Sequence, residues 1–168
     1  MSRVRQDGHG WWGNESTYQS ETFDMTPAKA HKFLAIAREV AQLSKDRATK
    51  VGALAIGPAG EIRAMGYNGF PRRFNDDIDE RHERPAKYIW TEHAERNLIY
   101  NAARVGTPLE GCILVVTPLF CCVECARAVV QAGFVAVVAE AEDNPRWAES
   151  NNRAMEMFSE CGVEVIKI

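Results

Sequence analysis

The chain has 168 residues, 46% of them apolar and 26% charged, with a formal net charge of −3 at neutral pH. That length suits one domain able to bury a core without disulfide staples. The mildly acidic balance argues against a polynucleotide partner, which calls for a basic stripe, but leaves room for a small phosphorylated substrate needing two or three local cations. No apolar run reaches membrane-spanning length, and the N-terminus lacks an apolar signal region. The expectation is a cytoplasmic protein without a membrane partner.

Residues 1–25 are rich in Gly, Ser, Asn, Gln and charges without visible period, and read as a flexible tail interrupted by Trp11-Trp12. Residues 26–168 read as one domain. Thr26-Pro27 suits a helix start. Phe33, Ile36, Ala37, Val40 and Leu43 then recur at helical spacing, predicting a helix over about 27–45. Val51 to Ile56 reads as a strand, Gly57-Pro58-Ala59-Gly60 as a turn, and Glu61 to Tyr67 as the second strand of a hairpin. The charged stretch 72–87 reads as a long surface loop, a class that is often functional.

A second helix is expected over about 92–105, stopped by Gly106-Thr107-Pro108. Cys112 to Thr117 and Val135 to Ala139 are continuous apolar runs, as in strands buried on both faces. Cys122 to Ala132 is the helix between them. Asn144-Pro145 opens a last helix that Gly162 ends, and the alternating Val163 to Ile168 reads as an edge strand. The order predicts an α/β fold: a three-layer α/β/α sandwich with a mixed five-stranded sheet, an antiparallel hairpin lying beside a parallel run joined by right-handed crossovers.

Two stretches carry chemistry: Trp90-Thr91-Glu92-His93-Ala94-Glu95 and Cys122-Val123-Glu124-Cys125. Of the five cysteines, three crowd into 121–125, a spacing that suits a metal better than a disulfide framework. Cys122 and Cys125 are three apart on one helix, so their sulfurs face the same way. A helix N-terminus favours negative charge and hence the thiolates that bind metal. His93, Cys122 and Cys125 together supply three ligands for Zn2+ and leave a fourth position open for water, the mark of a catalytic site. Glu95, close by and not a ligand, is the natural proton carrier.

A lone CxxC also fits a closed zinc site or a redox pair. A closed site needs a fourth ligand from Cys121, Cys112, Cys161 or His82, and no spacing nominates one. Cys121 competes with Cys122 for the register, and the two-residue gap assigns Cys121 to the pocket wall or to the layer just behind the ligands. Arg47, Lys50, Arg72 and Arg73 come from loops expected at the same sheet end and are candidates for phosphate contact. Asp76, Asp77, Asp79 and Glu80 stand ready to balance them as plain surface charges.

The combined H-x-E and C-x-x-C pattern resembles that of zinc-dependent base deaminases. The sequence is similar to the cytidine/deoxycytidylate deaminase superfamily and particularly to its dCMP deaminase branch. The resemblance is carried by Ser44-Lys45-Asp46 with Lys50-Val51-Gly52, by Gly66-Tyr67-Asn68-Gly69-Phe70-Pro71-Arg72, by Arg84-Pro85-Ala86-Lys87-Tyr88 with Trp90 to Asn97, and by Cys122 to Arg127 with Gln131-Ala132-Gly133. It spans about residues 27–168.

It implies hydrolysis of dCMP to dUMP, zinc on His93, Cys122 and Cys125, Glu95 as proton shuttle, and substrate contacts from Ala94 backbone and Asn68. It also implies a homo-oligomer, with dCTP and dTTP regulation in some members. The sequence departs from the branch pattern at Cys121, where Pro is usual, at Arg73, where Gly is usual, and at Leu98, where a small residue is common. The same chemistry on a non-nucleotide amino-heterocycle is the second reading.

Overall fold

The computed structural model describes residues 23–141 and 144–168; Trp11, Trp12 and the rest of the expected tail through residue 22 lie outside them. Five strands form one sheet in the order β2-β1-β3-β4-β5. Strand β1 (Gly52–Ile56) pairs antiparallel with both β2 (Ile62–Tyr67) and β3 (Ile113–Thr117). Strands β3, β4 (Ala136–Ala139) and β5 (Glu164–Lys167) run parallel. This is the mixed sheet expected from the order of elements.

The three central strands are buried along their whole length, which is why they read as unbroken apolar runs. Alternation divides their side chains between two cores. Leu54, Ile56, Val115 and Val138 face helix α1 (Pro27–Ala41), together with Leu34 and Ala37. Ala53, Leu114, Val116 and Val137 face the opposite layer, made by α3 (Ala94–Val105), α4 (Val123–Gln131) and α5 (Ala148–Glu160). The outer strands β2 and β5 are only partly covered.

Helix α1 starts as expected, with Thr26 Oγ1 accepting from the Lys29 N–H at 3.4 Å and Pro27 in the first turn. It ends at Ala41, short of the expected 45. Ser44 instead donates its hydroxyl to Asn68 O at 2.7 Å and accepts from Asp46 N at 3.1 Å. The buried face also differs: Ala30, Leu34, Ala37, Val40 and Ala41 pack inward, while Ile36 and Leu43 are exposed. The small residues win because the helix backbone lies directly on the sheet. A Cβ at Gly52 would come within 2.0 Å of Ala37 O.

The 72–87 stretch is more ordered than a bare loop. A 3-10 turn at Asp79–Arg81 leads into the short helix α2 (Lys87–Trp90). Phe74 stacks against Phe70 and Trp90, with Arg81 lying over its ring. Arg73 has a φ of 67°, a left-handed conformation that costs a non-glycine residue roughly 1–2 kcal/mol.

Gly66 is the tightest contact between β2 and α3. An added Cβ there would meet Ala94 O and Leu98 N, each at 2.4 Å, and helix backbone cannot rotate away. Gly66→Ala is expected to lower stability by about 1–3 kcal/mol, as overpacking does, read as a lower midpoint in denaturant unfolding.

Candidate active site

Helix α3 begins at the residue after His93, which occupies its N-cap position, and α4 begins after Cys122, which occupies its own. The Cys122 sulfur accepts from Cys125 N at 3.5 Å. The two helix starts meet beyond the carboxyl ends of β2 and β3. His93 Nδ1 lies 3.5 Å from Cys122 Sγ and 3.4 Å from Cys125 Sγ. A tetrahedral zinc with bonds of about 2.0–2.1 Å to nitrogen and 2.3 Å to sulfur sets those donors roughly 3.5 Å apart. The three residues therefore form a fitting metal site, and among the described residues they are the group of His, Cys and acidic side chains so arranged.

Of the two sulfurs, the electrostatics favour the thiolate at Cys122. The hydrogen bond from Cys125 pulls the Cys122 thiol down to about 3, against the effect of burial and with help from His93. Cys125, which donates that bond, is pushed up. The Cys122 sulfur in turn raises His93. Glu95 sits in the first turn of α3 at 3% exposure, and burial pushes its carboxyl up. A carboxyl raised toward neutrality is suited to both accept and release a proton. Cys121 is fully buried beside Glu95, outside the ligand group and not among the residues that line the cavity below.

A cavity of about 180 Å³ opens over this floor, lined by His93, Ala94, Glu95 and Cys122. One wall is a buried polar network. Lys87 Nζ donates to both oxygens of Asp46, at 2.9 and 2.7 Å, with side-chain exposures of only 10% and 7%. Asn68 donates to Asp46 Oδ2 and to Thr49 O at 3.2 and 2.9 Å, and accepts from Val51 N at 2.8 Å. Both amide hydrogens of Asn68 are thus engaged, Oδ1 keeps a second lone pair, and the residue lines the cavity.

Of the sequence-derived substrate contacts, Ala94 and Asn68 line the cavity, and the cations Arg47, Lys50, Arg72 and Arg73 do not. Arg47 turns to Asp79 at 2.6 Å, Lys50 to Gln42 O at 3.3 Å, and Arg72 to Asn101 at 2.6 Å, all on exposed surface. The cavity rim carries Arg84 and Arg146 instead. Arg146 lies over the rings of Tyr88 and Trp147 and hydrogen-bonds to the Tyr88 hydroxyl. Among the described residues neither arginine forms an ion pair. Sequence reasoning missed them, although Asn144-Pro145-Arg146-Trp147 follows a central parallel strand, where ligands of α/β sheets commonly bind.

A sandwich of this topology with one His and two Cys at facing helix starts and a buried Glu beside them defines a zinc-dependent hydrolytic deaminase. Residues 27–141 match the family described as the cytidine and deoxycytidylate deaminase zinc-binding region, and the chain belongs to that family. It is 39% identical to the "Uncharacterized deaminase in luxG 3'region" of Aliivibrio fischeri, over 81% of this chain and 90% of that one. It is 37% identical to the deoxycytidylate deaminase of Homo sapiens, over 63% of this chain and 61% of that one. The dCMP deaminase of cyanophage S-TIM5, solved in complex with dCMP and dUMP, superposes with a TM-score of 0.70 at 26% identity, over 86% of this chain and all of that one. Among the described residues no helix is long and apolar enough to cross a membrane.

The Asp46 wall responds to pH. Burial opposes the Asp46 charge, but hydrogen bonds from Lys87 and from the N–H groups of Ala48 and Thr49 outweigh it and hold the carboxyl below its ordinary range. A depressed acid contributes stability above its unfolded pKa of about 4 and loses it as pH falls through the lower folded value. Asp46→Asn is therefore expected to melt well below the parent at pH 7, with the gap narrowing below about pH 4, in thermal melts across that range.

Proposed function

We propose that the chain deaminates dCMP to dUMP, with zinc on His93, Cys122 and Cys125 and Glu95 as the proton shuttle. The observation that carries this reading is one cavity with the zinc-ligand set and a buried carboxyl on its floor and two cations on its rim. A flat aminated ring fits the floor, and a phosphate is the group that guanidinium forks without a carboxylate partner among the described residues recognise best at a rim. The family match and the dCMP-binding cyanophage relative support the same substrate.

When bound, zinc supplies Lewis acidity that makes water nucleophilic near neutral pH. Glu95 takes the proton from the attacking water and passes protons to the ring nitrogen and the departing amine. The C–O bond forms, the C–N bond breaks, ammonia leaves, and a carbonyl remains on the ring. The Ala94 backbone at the helix start and the free lone pair of Asn68 are placed to orient the ring edge. Arg84 and Arg146, and not Arg47, Lys50 or Arg72, hold the phosphate. The exposed Ile62, Met65 and Tyr67 on β2 and Tyr100 on α3 support self-association as a homo-oligomer.

Ammonia release from zinc-loaded protein, measured on dCMP, CMP, deoxycytidine, cytosine and amino-triazines, tests the substrate. A strong preference for dCMP is expected; activity on free rings with dCMP inert would favour the second reading of a non-nucleotide heterocycle. Glu95→Gln is expected to keep its zinc and lose about 10²–10⁴-fold in kcat. Arg146→Ala is expected to raise KM for dCMP about tenfold or more, the loss of one charged hydrogen bond, while leaving deoxycytidine turnover unchanged. Equal loss on both substrates would move the phosphate away from Arg146.

A further inference from the structure

Arg96 follows Glu95 on α3 and reaches across to α4. Its Nε donates to Glu92 Oε1 at 2.6 Å, and its Nη1 donates to Glu124 Oε2 at 3.0 Å. Glu92 Oε1 also accepts the backbone N–H of His93 at 3.0 Å. Glu124 lies between Cys122 and Cys125 in the chain. A continuous run of charge-assisted hydrogen bonds therefore connects the backbone of the imidazole ligand to the helix turn that bears both thiol ligands.

We propose that Arg96 is a positioning residue that latches α3 to α4 through Glu92 and Glu124, and so sets the spacing between His93 and the two cysteines on which zinc affinity depends. The inference rests on the zinc-site reading above. An isolated surface ion pair contributes little, but this one differs in two respects. The planar fork engages two carboxylates at once, a geometry lysine cannot copy. The Arg96 and Glu92 side chains are also shielded, at 20% and 23% exposure. Burial opposes the Arg96 charge, yet the nearby Cys125 sulfur and the two carboxylates outweigh it. Groups just outside a metal's ligand set commonly alter affinity about 10–100-fold.

The test is the zinc dissociation constant of the full chain, read by competition with a chromophoric chelator, together with the visible absorption of the Co2+-substituted protein. Arg96→Met and Glu124→Gln are each expected to weaken zinc about tenfold and to shift the cobalt bands. The double variant should be no weaker than Arg96→Met, because both act through one bridge. Arg96→Lys should recover only part of the loss. Glu124→Gln alters a side chain that is 58% exposed, so it guards against a folding defect in Arg96→Met. Parental affinity and spectrum in all four variants would overturn the latch while leaving the zinc site standing, provided Cys122→Ala loses the metal. If the parent holds no zinc, or Cys122→Ala holds it equally well, the site reading itself fails and the latch with it.

Discussion

Two helix starts meeting beyond the carboxyl ends of β2 and β3 is the constraint on which the rest of this structure depends. His93 and Cys122 occupy the N-cap positions of α3 and α4, so both helices direct their positive dipole ends toward one point. That field favours thiolate over thiol and makes the point a natural place for anionic ligands. It also requires the two helices to lie on one face of the sheet at close range. Gly66 under α3 and the fully buried Ala94 and Ala126 are the small residues that permit it.

One wall of the cavity above that point is built of charge, and Val51, Leu119 and Phe120 line it elsewhere. Asp46, Lys87 and Asn68 come from three separate segments and satisfy one another almost completely. Buried ion pairs give little net stability but penalise any arrangement that leaves a partner alone. The network therefore holds the 44–50 loop, the end of β2 and the start of α2 in one relative position. The charge-dense 72–87 stretch ends in this network and supplies the wall with Lys87 and the rim with Arg84.

Departures from the local pattern of the sequence mark where packing overrides propensity. Arg73 keeps a left-handed backbone without being glycine, in the turn between Phe70 and Phe74, whose rings pack against each other. Helix α1 sets Ala37 and Ala41 against Gly52, where the backbones approach too closely for a larger side chain, and leaves Ile36 in water. Cys121 replaces the expected proline and uses its thiol to contact Glu95.

The sequence by itself determined the layer order, the central strands and the candidate metal-ligand group with Glu95 beside it; the burial of Glu95 came from the fold. These are written in short-range terms: apolar runs for strands buried on both sides, and fixed spacings of one, two and three residues at helix starts. The cavity rim was decided only by tertiary structure. Arg84 and Arg146 are 62 positions apart and share no motif, whereas Arg47, Lys50 and Arg72 sit beside the motifs and yet pair elsewhere. A long cationic side chain has enough reach and freedom to satisfy any nearby carbonyl or carboxylate. Its destination depends on which acceptor the fold brings within a few ångströms, and local sequence does not encode that.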